Sequence, residues 1–498
     1  MRRLVAVLAA LFSLTIWIQW QWPAPASAST LSDQLAKSAG QKWALLNVGN
    51  GKYVSAPDTG SGGEYAKLYA NATSITASER FTLHTDDKGT QISLRAESNG
   101  LFVSADANNS EKLRAQGDHI GSWEGFKLEY KGTDTSGAYY SLYSGNAGAY
   151  VAAELGAYPD HEVLRARTTA TSLGTWEKFR LVPVTDSSSH VGAVKDDYAH
   201  WTTPPAPAAP TSTSVKFMTW NLCGDRNDTC GNDHSTPDHM ADEVIGQLND
   251  VGSTYTPDAL SFEESCEKFA KPIETALENR TGTGWDVRFA PIYYNVTTDG
   301  GAAVLAQKEC ADATGYGNRG AYGVSVAVPD ENTWYQAHIL NSPDTATDVS
   351  GNPYVVEQRA DLCAAITSKA VMYCGAHFST GGTNYDDPTW TYHGYQRDEL
   401  TTDEQKATKT GYRVVFGGDL NVNPPARGRD GSQVLDPVYN TYRECAQLQD
   451  TTSARDGQNT ANNSKIDYIF GAGHTSCAVS TNSGGSDHYA LRSTTLLP

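Results

Sequence analysis

An acid and an amide two residues apart, Asp419 and Asn421, follow a short apolar run and two glycines. The run 412–416 is largely apolar and β-branched, which predicts a buried strand, and Gly417 and Gly418 allow a sharp turn at its carboxyl end. Ligands tend to bind at this end of a strand in a sheet. Asp and Asn after Gly-Gly are also ordinary turn residues, so this stretch does not predict a site by itself.

Several other predicted strands end in the same way, with an acid, an amide or an imidazole. Their polar side chains are those of Asn221, Glu263, Glu264, His377, Asp467, Asp487 and His488. Hydrolysis at a metal centre needs ligands for a hard cation, a positioned water and groups that accept or donate a proton. These residue types supply such functions, although their spacing shows only that they stand at or near strand ends.

Taken in chain order as Asn, Glu, His, Asp-x-Asn, Asp and Asp-His, these motifs resemble the endonuclease/exonuclease/phosphatase superfamily, the DNase I-like fold. The resemblance covers residues 215–498 and implies a catalytic domain built as a four-layered α/β sandwich, with two mixed sheets packed face to face and helices outside. The sequence places two helices in it, at 238–248 and 266–279. The predicted fold class is multidomain, with this sandwich following an all-β region.

The resemblance assigns three residues to the metal. Glu264 falls on the family's metal carboxylate, Asp487 is a second candidate ligand, and Asn221 orients the metal or the phosphate. Mg²⁺ is the implied cofactor, with Mn²⁺ or Ca²⁺ as alternatives, since Mg²⁺ takes a few carboxylates and keeps several waters. Glu263 stands where the family commonly has Gln, a departure that could add negative charge. Asn221 also fits a satisfied turn or core group.

The resemblance also assigns the catalytic roles. Asp419 orients or deprotonates the attacking water, and Asn421 holds a phosphate oxygen. His488 sits against the phosphate and is oriented by Asp467, as an Asp orients a catalytic imidazole elsewhere. His377 binds phosphate or protonates the leaving oxygen. Asp467 also fits a satisfied polar group of the core.

Two arginines, Arg359 and Arg319, are candidates for binding the substrate phosphate. Arg359 fits an ion pair with a neighbouring acid equally well. His393 is expected at the surface. The aromatic-rich loop 385–395, just after His377, fits base stacking or contact with a lipid surface, and it fits packing beneath a long loop as well.

The N-terminus predicts export. Two arginines precede the apolar run 4–20, and residues 26–28 supply a small-residue cleavage site. This pattern is typical of a secretory signal peptide, here residues 1–28, and indicates a secreted, extracellular protein. A membrane anchor fits less well, because the run is short and ends in Pro and small residues, so no stable membrane insertion is expected.

All eight cysteines lie after residue 215, and their even number predicts a disulfide framework in an exported protein. A metal site fits their spacing poorly, since no CxxC pair is present. We expect sequential pairing, one of several connectivities open to eight cysteines. The expected bridges are Cys223–Cys230, Cys266–Cys310, Cys363–Cys374 and Cys445–Cys477.

Residues 31–185 contain three copies of one pattern. The motif that begins at Gly51 returns at Gly100 and Gly148, so the intervals are 49 and 48 residues. Short alternating strands with Gly and Asn turns in three copies predict a closed, threefold all-β unit. The unit resembles the fascin-like branch of the β-trefoil fold, which implies an accessory module that binds a glycan or a cell-surface ligand. A stabilising spacer without a ligand is the alternative.

Residues 186–214 are rich in Ser, Thr, Pro and Ala, which predicts an extended linker without a core of its own. Two independently folding units are therefore expected, in a protein that is monomeric by default. Residues 215–498 carry 20 Lys and Arg against 37 Asp and Glu, or −17 of the chain's net charge of −19. A surface this acidic lacks the cluster of Lys and Arg residues with which proteins bind duplex nucleic acid tightly.

These patterns favour a secreted, divalent-metal-dependent phosphodiesterase. Extracellular nucleic acid is the favoured substrate, which would make the protein a nuclease. A sphingomyelinase-like phospholipase C shares the motifs, but the sequence contains no long apolar hairpin that would insert into a membrane. A non-catalytic binding protein on the same scaffold is the third alternative. The complete set of acids, amides and imidazoles argues against it.

Overall fold

The computed structural model describes residues 42–61, 65–86, 89–156, 161–169, 173–184, 204–210, 212–225, 230–231, 235–250, 255–296, 304–310, 318–448 and 454–497. The predicted signal peptide, residues 1–28, and most of the predicted linker, residues 186–203, lie outside these ranges. Within them, no helix has both the length and the apolar composition needed to cross a membrane.

Twelve strands make up the described part of the N-terminal region. They are β1 Lys42–Asn47, β2 Tyr53–Ser55, β3 Tyr69–Ala72, β4 Phe81–Thr85, β5 Ile92–Ala96, β6 Phe102–Asp106, β7 Lys112–Gly117, β8 Phe126–Asp134, β9 Gly137–Ser144, β10 Ala149–Ala153, β11 Leu164–Thr168 and β12 Phe179–Val184. Nine of them pair in the order β4-β5-β6-β7-β11-β10-β9-β12-β1, and β1 pairs again with β4. The ring of strands closes, so this region is a β-barrel.

The three sequence repeats share their local structure. A glycine with positive φ stands before or at the start of β2, β6 and β10: Gly51 at 66°, Gly100 at 71° and Gly148 at 62°. Apolar residues at matching positions of the copies are completely buried, as Val54, Val103 and Val151 show. They belong to one hydrophobic core. The copies therefore depend on one another, because each buries its apolar face against the others.

The C-terminal region contains the remaining strands and, within the described residues, four α-helices. The strands are β13 Ser214–Asn221, β14 Ala259–Cys266, β15 Trp285–Pro291, β16 Tyr293–Asn295, β17 Leu305–Lys308, β18 Tyr322–Pro329, β19 Thr333–Ile339, β20 Thr345–Thr347, β21 Pro353–Val355, β22 Glu357–Gln358, β23 Ala360–Ile366, β24 Val371–His377, β25 Arg413–Asp419, β26 Arg443–Glu444, β27 Asp467–Gly471, β28 His474–Val479 and β29 Leu491–Leu496. The helices are α1 Pro237–Asn249, α2 Ala270–Thr281, α3 Thr391–Thr410 and α4 Asp436–Thr441.

Two six-stranded sheets form the body of this region, in the orders β15-β18-β14-β13-β29-β28 and β19-β23-β24-β25-β27-β26. Each sheet is mixed, because β13–β14 and β24–β25 are parallel pairs among antiparallel ones. The sheets pack face to face, with the ring of Phe217 stacked on that of Tyr373 at 5.8 Å. Helices α1 and α2 cover the first sheet and α3 and α4 the second. The predicted four-layered sandwich is confirmed.

Both predicted helices form, with shifted starts. At α1 the Thr236 hydroxyl accepts a hydrogen bond from the backbone N–H of His239 at 3.2 Å, a standard N-cap. Met240, Val244 and Leu248 follow at four-residue spacing and are fully buried. The second helix starts at residue 270 rather than 266, because β14 runs on to residue 266 and a short 3₁₀ turn follows it.

All eight cysteines are paired, and the four bridges are those expected from sequential pairing: Cys223–Cys230, Cys266–Cys310, Cys363–Cys374 and Cys445–Cys477. The second bridge ties the end of β14 to the segment after β17, and the third joins neighbouring residues of β23 and β24. Each bridge contributes about 2–4 kcal/mol to stability.

The two regions share a sheet edge and a core, so the expectation that nothing but a linker joins them is wrong. Strand β17 pairs in parallel with β4 of the barrel. Tyr294, Val296, Val304 and Ala306, from β16, β17 and their flanks, are buried in the barrel's hydrophobic core. A one-dimensional pattern gives no sign of this contact, because it joins edge strands that are far apart in the sequence.

The described part of the linker lies along the C-terminal region. The backbone N–H of Ala208 donates to the carbonyl oxygen of Thr367 at 2.8 Å. The Tyr412 hydroxyl donates to the carbonyl oxygen of Pro205, also at 2.8 Å. Residues 204–210 are therefore held against the sandwich.

Candidate active site where the two sheets meet

Neighbouring strands of the second sheet bring two acids and an imidazole together at one edge. In the pairing register, Asp419 at the end of β25 lies between His377 of β24 and Asp467 of β27. The two glycines before Asp419 belong to β25 and do not form a turn after it, which corrects the expectation from the sequence. A Cβ at Gly417 would lie 1.8 Å from the carbonyl oxygen of Tyr468, so only glycine lets β27 approach this closely.

The first sheet contributes a carboxylate through an irregularity in β14. Glu264 has a φ of 51°, and the register with β18 shifts between Phe262 and Ser265. A bulge of this kind re-aims a side chain, here the Glu264 carboxylate, which is 23% exposed. Asn221, at the end of β13, donates from Nδ2 to Glu264 Oε1 and to Asp419 Oδ2, both at 3.1 Å. One amide thus ties carboxylates from the two sheets together.

His488 and Asp467 form a buried ion pair. Nδ1 of His488 lies 2.9 Å and 3.1 Å from the two carboxylate oxygens of Asp467. Nε2 lies 3.7 Å from Asp419 Oδ2. Burial alone would lower the pKa of His488, but the negative charges of Asp467 and Asp419 raise it well above its usual value. His488 is therefore an imidazolium that carries a proton on the nitrogen nearest Asp419.

The second imidazole, His377, has the opposite character. Burial, and then the positive charge of Arg359, hold the pKa of His377 well below its usual value. Arg359 Nη1 lies 3.2 Å from both ring nitrogens. Nε2 of His377 is 3.6 Å from Asp419 Oδ2 and 4.0 Å from Glu264 Oε1. A neutral ring in this place forms hydrogen bonds, and it is a weaker proton donor than His488.

Asp419 stands at the centre of the group. Its Oδ1 accepts from the backbone N–H of Asn421 at 3.0 Å. Burial raises the pKa of Asp419 to about 7, against the opposing effect of the positive charge on His488. Asn421 adopts a φ of 51°, and its Nδ2 donates to the carbonyl oxygen of Phe378 at 3.0 Å. A carboxyl group with a pKa near 7 exchanges a proton with water efficiently at neutral pH.

The sequence matches the model of the endonuclease/exonuclease/phosphatase family over residues 218–488, which is more than half of the chain. The chain belongs to the endonuclease/exonuclease/phosphatase family. It is a phosphodiester hydrolase, of a kind that typically depends on a divalent metal ion. No curated protein matches the chain.

Solved structures similar to the chain share little sequence with it. The human Nocturnin catalytic domain with bound sulfate is 14% identical, with 57% of this chain and 93% of that one covered and a TM-score of 0.35. Truncated TDP2 from Caenorhabditis elegans is 16% identical, with 57% and 98% covered and a TM-score of 0.34. The designed threefold-symmetric protein ThreeFoil is 16% identical, with 29% and 99% covered and a TM-score of 0.24. The family assignment rests on the sequence match.

The acids of this endonuclease/exonuclease/phosphatase site fit a hard divalent cation. Glu264 and Asp487 have partly exposed carboxylates, at 23% and 27%. Burial, and then the negative charge of Asp487, raise the pKa of Glu264, and a bound cation would remove this repulsion. Asn221 accepts at Oδ1 from the backbone N–H of Cys223 at 2.9 Å and donates from Nδ2 to Glu264, so its amide fixes the position of that carboxylate.

Glu263, for which the sequence predicted an added negative charge, does not reach the open part of the site. It is completely buried between the sheets, where it accepts hydrogen bonds from Thr219 and Ser261, each at 3.1 Å. Burial, and then the negative charges of Asp467 and Asp419, raise the pKa of Glu263 well above its usual value. This shift favours the uncharged carboxyl group, which opposes the added negative charge expected from the sequence.

A chain of buried charges beside the neutral imidazole was missed in the sequence. Lys308 Nζ lies 2.5 Å from Asp225 Oδ2 and 2.6 Å from Glu357 Oε1. Arg359 contacts Glu357 Oε2 at 2.9 Å and Asp386 Oδ2 at 3.0 Å. Arg359 thus lies at the site, as the phosphate-binding prediction requires. It is also ion-paired with neighbouring acids, as the alternative prediction requires. These five charged residues lie on separate loops and strands, so no local sequence motif predicts that they interact.

Arg319 is not placed to bind substrate. Its side chain is completely buried, and Nη1 donates to the carbonyl oxygen of Gly224 at 2.5 Å. Gly224 in turn donates its N–H to the carbonyl oxygen of Glu264 at 2.9 Å. Arg319 therefore supports the loop after β13 from behind, which corrects its assignment to the substrate.

His393 is buried, although the sequence predicted a surface position. The residue lies in the first turn of α3, and its Nδ1 is 2.9 Å from Asp387 Oδ2. In the aromatic loop, Tyr385 is 57% exposed, whereas Trp390 packs against the loop at Gly431, where a Cβ would lie 2.1 Å from its ring. Trp390 thus packs as one prediction for this loop required, while the ring of Tyr385 remains exposed to solvent.

Proposed function

We propose that the protein is a secreted, Mg²⁺-dependent phosphodiesterase that hydrolyses extracellular nucleic acid. The observation that carries the proposal is the position of Asp419. It lies between a partly exposed carboxylate, Glu264, and a charged imidazole, His488, at the meeting edge of the two sheets. A metal ligand, a proton acceptor and a proton donor around one space are what hydrolysis of a phosphodiester requires.

Glu264 and Asp487 would hold the ion, with Asn221 fixing the first of them. Mg²⁺ commonly binds through one or two carboxylates and retains several waters, which suits two partly exposed acids. When bound, the ion would neutralise negative charge on the phosphoryl oxygens. Mn²⁺ and Ca²⁺ remain alternatives, since carboxylate oxygens accept them too.

The chain's own groups divide the proton handling. Asp419, with a pKa raised to about 7, orients the attacking water and takes up its proton. His488 holds a proton on Nε2 and presents it to the phosphate, because Asp467 fixes the ring through Nδ1. Asn421 has a second N–H beside the one bonded to Phe378, and this N–H is available to a phosphate oxygen.

His377 contributes a hydrogen bond and not a proton. Its low pKa makes it neutral in the free protein, with Arg359 beside it. A phosphate oxygen that approaches this pair meets a positive guanidinium and an imidazole N–H. We therefore reassign His377 from proton donor to phosphate ligand, and His488 takes the donor role.

The predicted signal peptide and the four disulfides support secretion. The net charge of −17 after residue 215 disfavours tight binding of duplex DNA, so single-stranded or short nucleic acid is the better substrate. Threefold repetition in the barrel supports a β-trefoil with a glycan or cell-surface ligand. Pull-down with polysaccharide particles by the full chain tests that ligand, and no retention on any particle would argue for a spacer.

The test of the catalytic proposal is a substrate panel with excess Mg²⁺ and with EDTA: single-stranded DNA, plasmid DNA, RNA and sphingomyelin. We expect metal-dependent cleavage of nucleic acid, fastest on single strands. His488→Ala should lower the rate about 10²-fold or more, since removal of a proton donor has this effect. Hydrolysis of sphingomyelin alone would overturn the nuclease assignment, and a folded His488→Ala protein with wild-type turnover would overturn the site.

A further inference from the structure

A cavity of about 750 Å³ lies where the barrel meets the sandwich. Its lining includes Thr90 of the barrel, Tyr294 of β16, Tyr354 and Val355 of β21, and Arg359 and Asp386 beside the active site. Cavities of this size hold small organic ligands. Most of the lining belongs to the sandwich, and Thr90 adds the barrel's contribution on one side.

The cavity opens beside the catalytic group. Arg359 belongs to its wall and lies 3.2 Å from the ring of His377, which is itself 3.6 Å from Asp419 Oδ2. Thr380, three residues beyond His377, lines it as well. Arg359 and Thr380 therefore connect the wall of the cavity to the strand end that carries His377.

The charges in the wall disfavour a second phosphate. Arg359, the basic residue of the lining, is held by Glu357 at 2.9 Å and Asp386 at 3.0 Å. Two carboxylates and one guanidinium leave the described wall with a net charge of −1. Arg359 is therefore already neutralised within the described wall, which suits an uncharged ligand better than a second phosphate.

The remaining wall is aromatic and aliphatic. The ring of Tyr294 lies against the barrel, where a Cβ at Gly89 would be 2.7 Å from its Cγ. The ring of Tyr354 is fixed by its hydroxyl, which donates to Asp386 Oδ1 at 3.0 Å. A ring held in this way, as that of Tyr354 is, can stack on a flat heteroaromatic group, whereas Tyr294 lies largely in the barrel's core.

We propose that this cavity binds the nucleoside attached to the scissile phosphate, and that the barrel, through Thr90, is part of the substrate site. The inference rests on the proposed function and specifies that the substrate carries an uncharged nucleoside at its end. A chain that continued through the cavity would place another phosphate against Glu357 and Asp386. The cavity therefore selects the end of a nucleic acid or a single nucleoside ester.

The test compares three p-nitrophenyl esters with Mg²⁺ present, those of thymidine monophosphate, methyl phosphate and phosphocholine. Thr90→Trp fills the cavity from the exposed barrel side, and Thr135→Trp, on an exposed barrel turn outside the cavity lining, is its matched control. Tyr354→Ala removes the stacking ring, and Val349→Ala, 83% exposed on the same hairpin, is the control.

We expect the wild-type kcat/KM to favour the thymidine ester, and this preference to fall about tenfold or more in Thr90→Trp and Tyr354→Ala, in line with the energy of one stacked base. Both controls should keep the wild-type preference. A preference unchanged in both cavity variants overturns the cavity assignment while the proposed hydrolysis stands. Wild-type protein that cleaves nucleic acid but none of the esters overturns the cavity assignment alone, and protein that hydrolyses neither nucleic acid nor any ester overturns both proposals. A stronger preference for the p-nitrophenyl ester of phosphocholine would assign the cavity to a quaternary ammonium headgroup instead.

Discussion

Asp467→Asn is the substitution that separates the catalytic imidazole from its partner with the least disturbance. The side chain is completely buried and does not reach the open part of the site. Its carboxylate receives the Nδ1 proton of His488 at 2.9 Å, and its backbone N–H donates to the Thr460 hydroxyl at 3.1 Å. Asparagine has the same shape and keeps an oxygen for Nδ1, but it lacks the charge that favours the imidazolium.

The magnitude follows from the two roles of this contact. A hydrogen bond to a charged group is worth about 1.5–3 kcal/mol, or roughly 10- to 150-fold in rate if orientation alone is lost. Loss of the proton donor as well would cost about 10²- to 10⁴-fold. Because the negative charge of Asp467 raises the pKa of His488, its removal lowers that pKa and shifts the imidazole towards its neutral form. We therefore expect kcat to fall about 10³-fold with KM little changed.

The assay is steady-state hydrolysis of a soluble p-nitrophenyl diester across pH, with urea unfolding to verify the fold. Activity of Asp467→Asn should recover partly at acid pH, where the weakened imidazole regains its proton. Asp330→Asn, in an exposed turn between β18 and β19, is the control and should match wild type. A folded Asp467→Asn protein with kcat within about threefold of the wild-type value, or one in which only KM rises, would refute the reasoning.

Three further predictions concern stability and covalent structure. Burial raises the pKa of Glu399 to about 8 from its usual 4.5. The folded protein therefore favours the protonated carboxyl group, and the stability that this group contributes is complete below pH 4.5 and is lost as the pH rises to 8. At about 1.4 kcal/mol per pKa unit, Glu399→Gln should stabilise the protein by on the order of 4 kcal/mol more at about pH 8 than at about pH 4; equal effects in urea unfolding at both pH values would contradict this. Residues 204–498 alone should melt below the full chain in calorimetry, because Tyr294, Val296, Val304 and Ala306 lose their cover, and an equal Tm would contradict the shared core. Thiol titration of the denatured protein should find no free cysteine, and two or more per chain would exclude the four bridges.

The strand ends of the catalytic region could be predicted because their signals are local. An apolar run followed by an acid or an imidazole gives Asp419 and His377, and pairing in register brings them side by side. Consecutive acids at 263 and 264 are harder to interpret. In a regular strand they would point to opposite faces, and the bulge in β14 is what directs Glu264 into the site while Glu263 stays between the sheets.

Contacts between distant segments could not be predicted. Glu309 lies 2.6 Å from Nδ1 of His84, a contact that depends on the pairing of β17 with β4. Nothing in the sequence near either residue indicates the other. The burial of Arg319 has the same origin, because an isolated Arg beside Gly is typical of an exposed loop, and only the surrounding fold turns it inward.

The most direct test of the central claim, a metal-dependent phosphodiesterase centred on Glu264 and Asp419, is the rate of hydrolysis of a p-nitrophenyl diester as a function of Mg²⁺ concentration. Wild-type protein and Glu264→Gln are compared, with EDTA-treated samples as the zero point. We predict saturable activation of the wild type and a rate at least about 10²-fold lower in the folded variant at every Mg²⁺ concentration, because glutamine cannot supply the charge that holds the ion. Hydrolysis that persists in EDTA, or a Glu264→Gln protein with the wild-type Mg²⁺ response, would contradict the account.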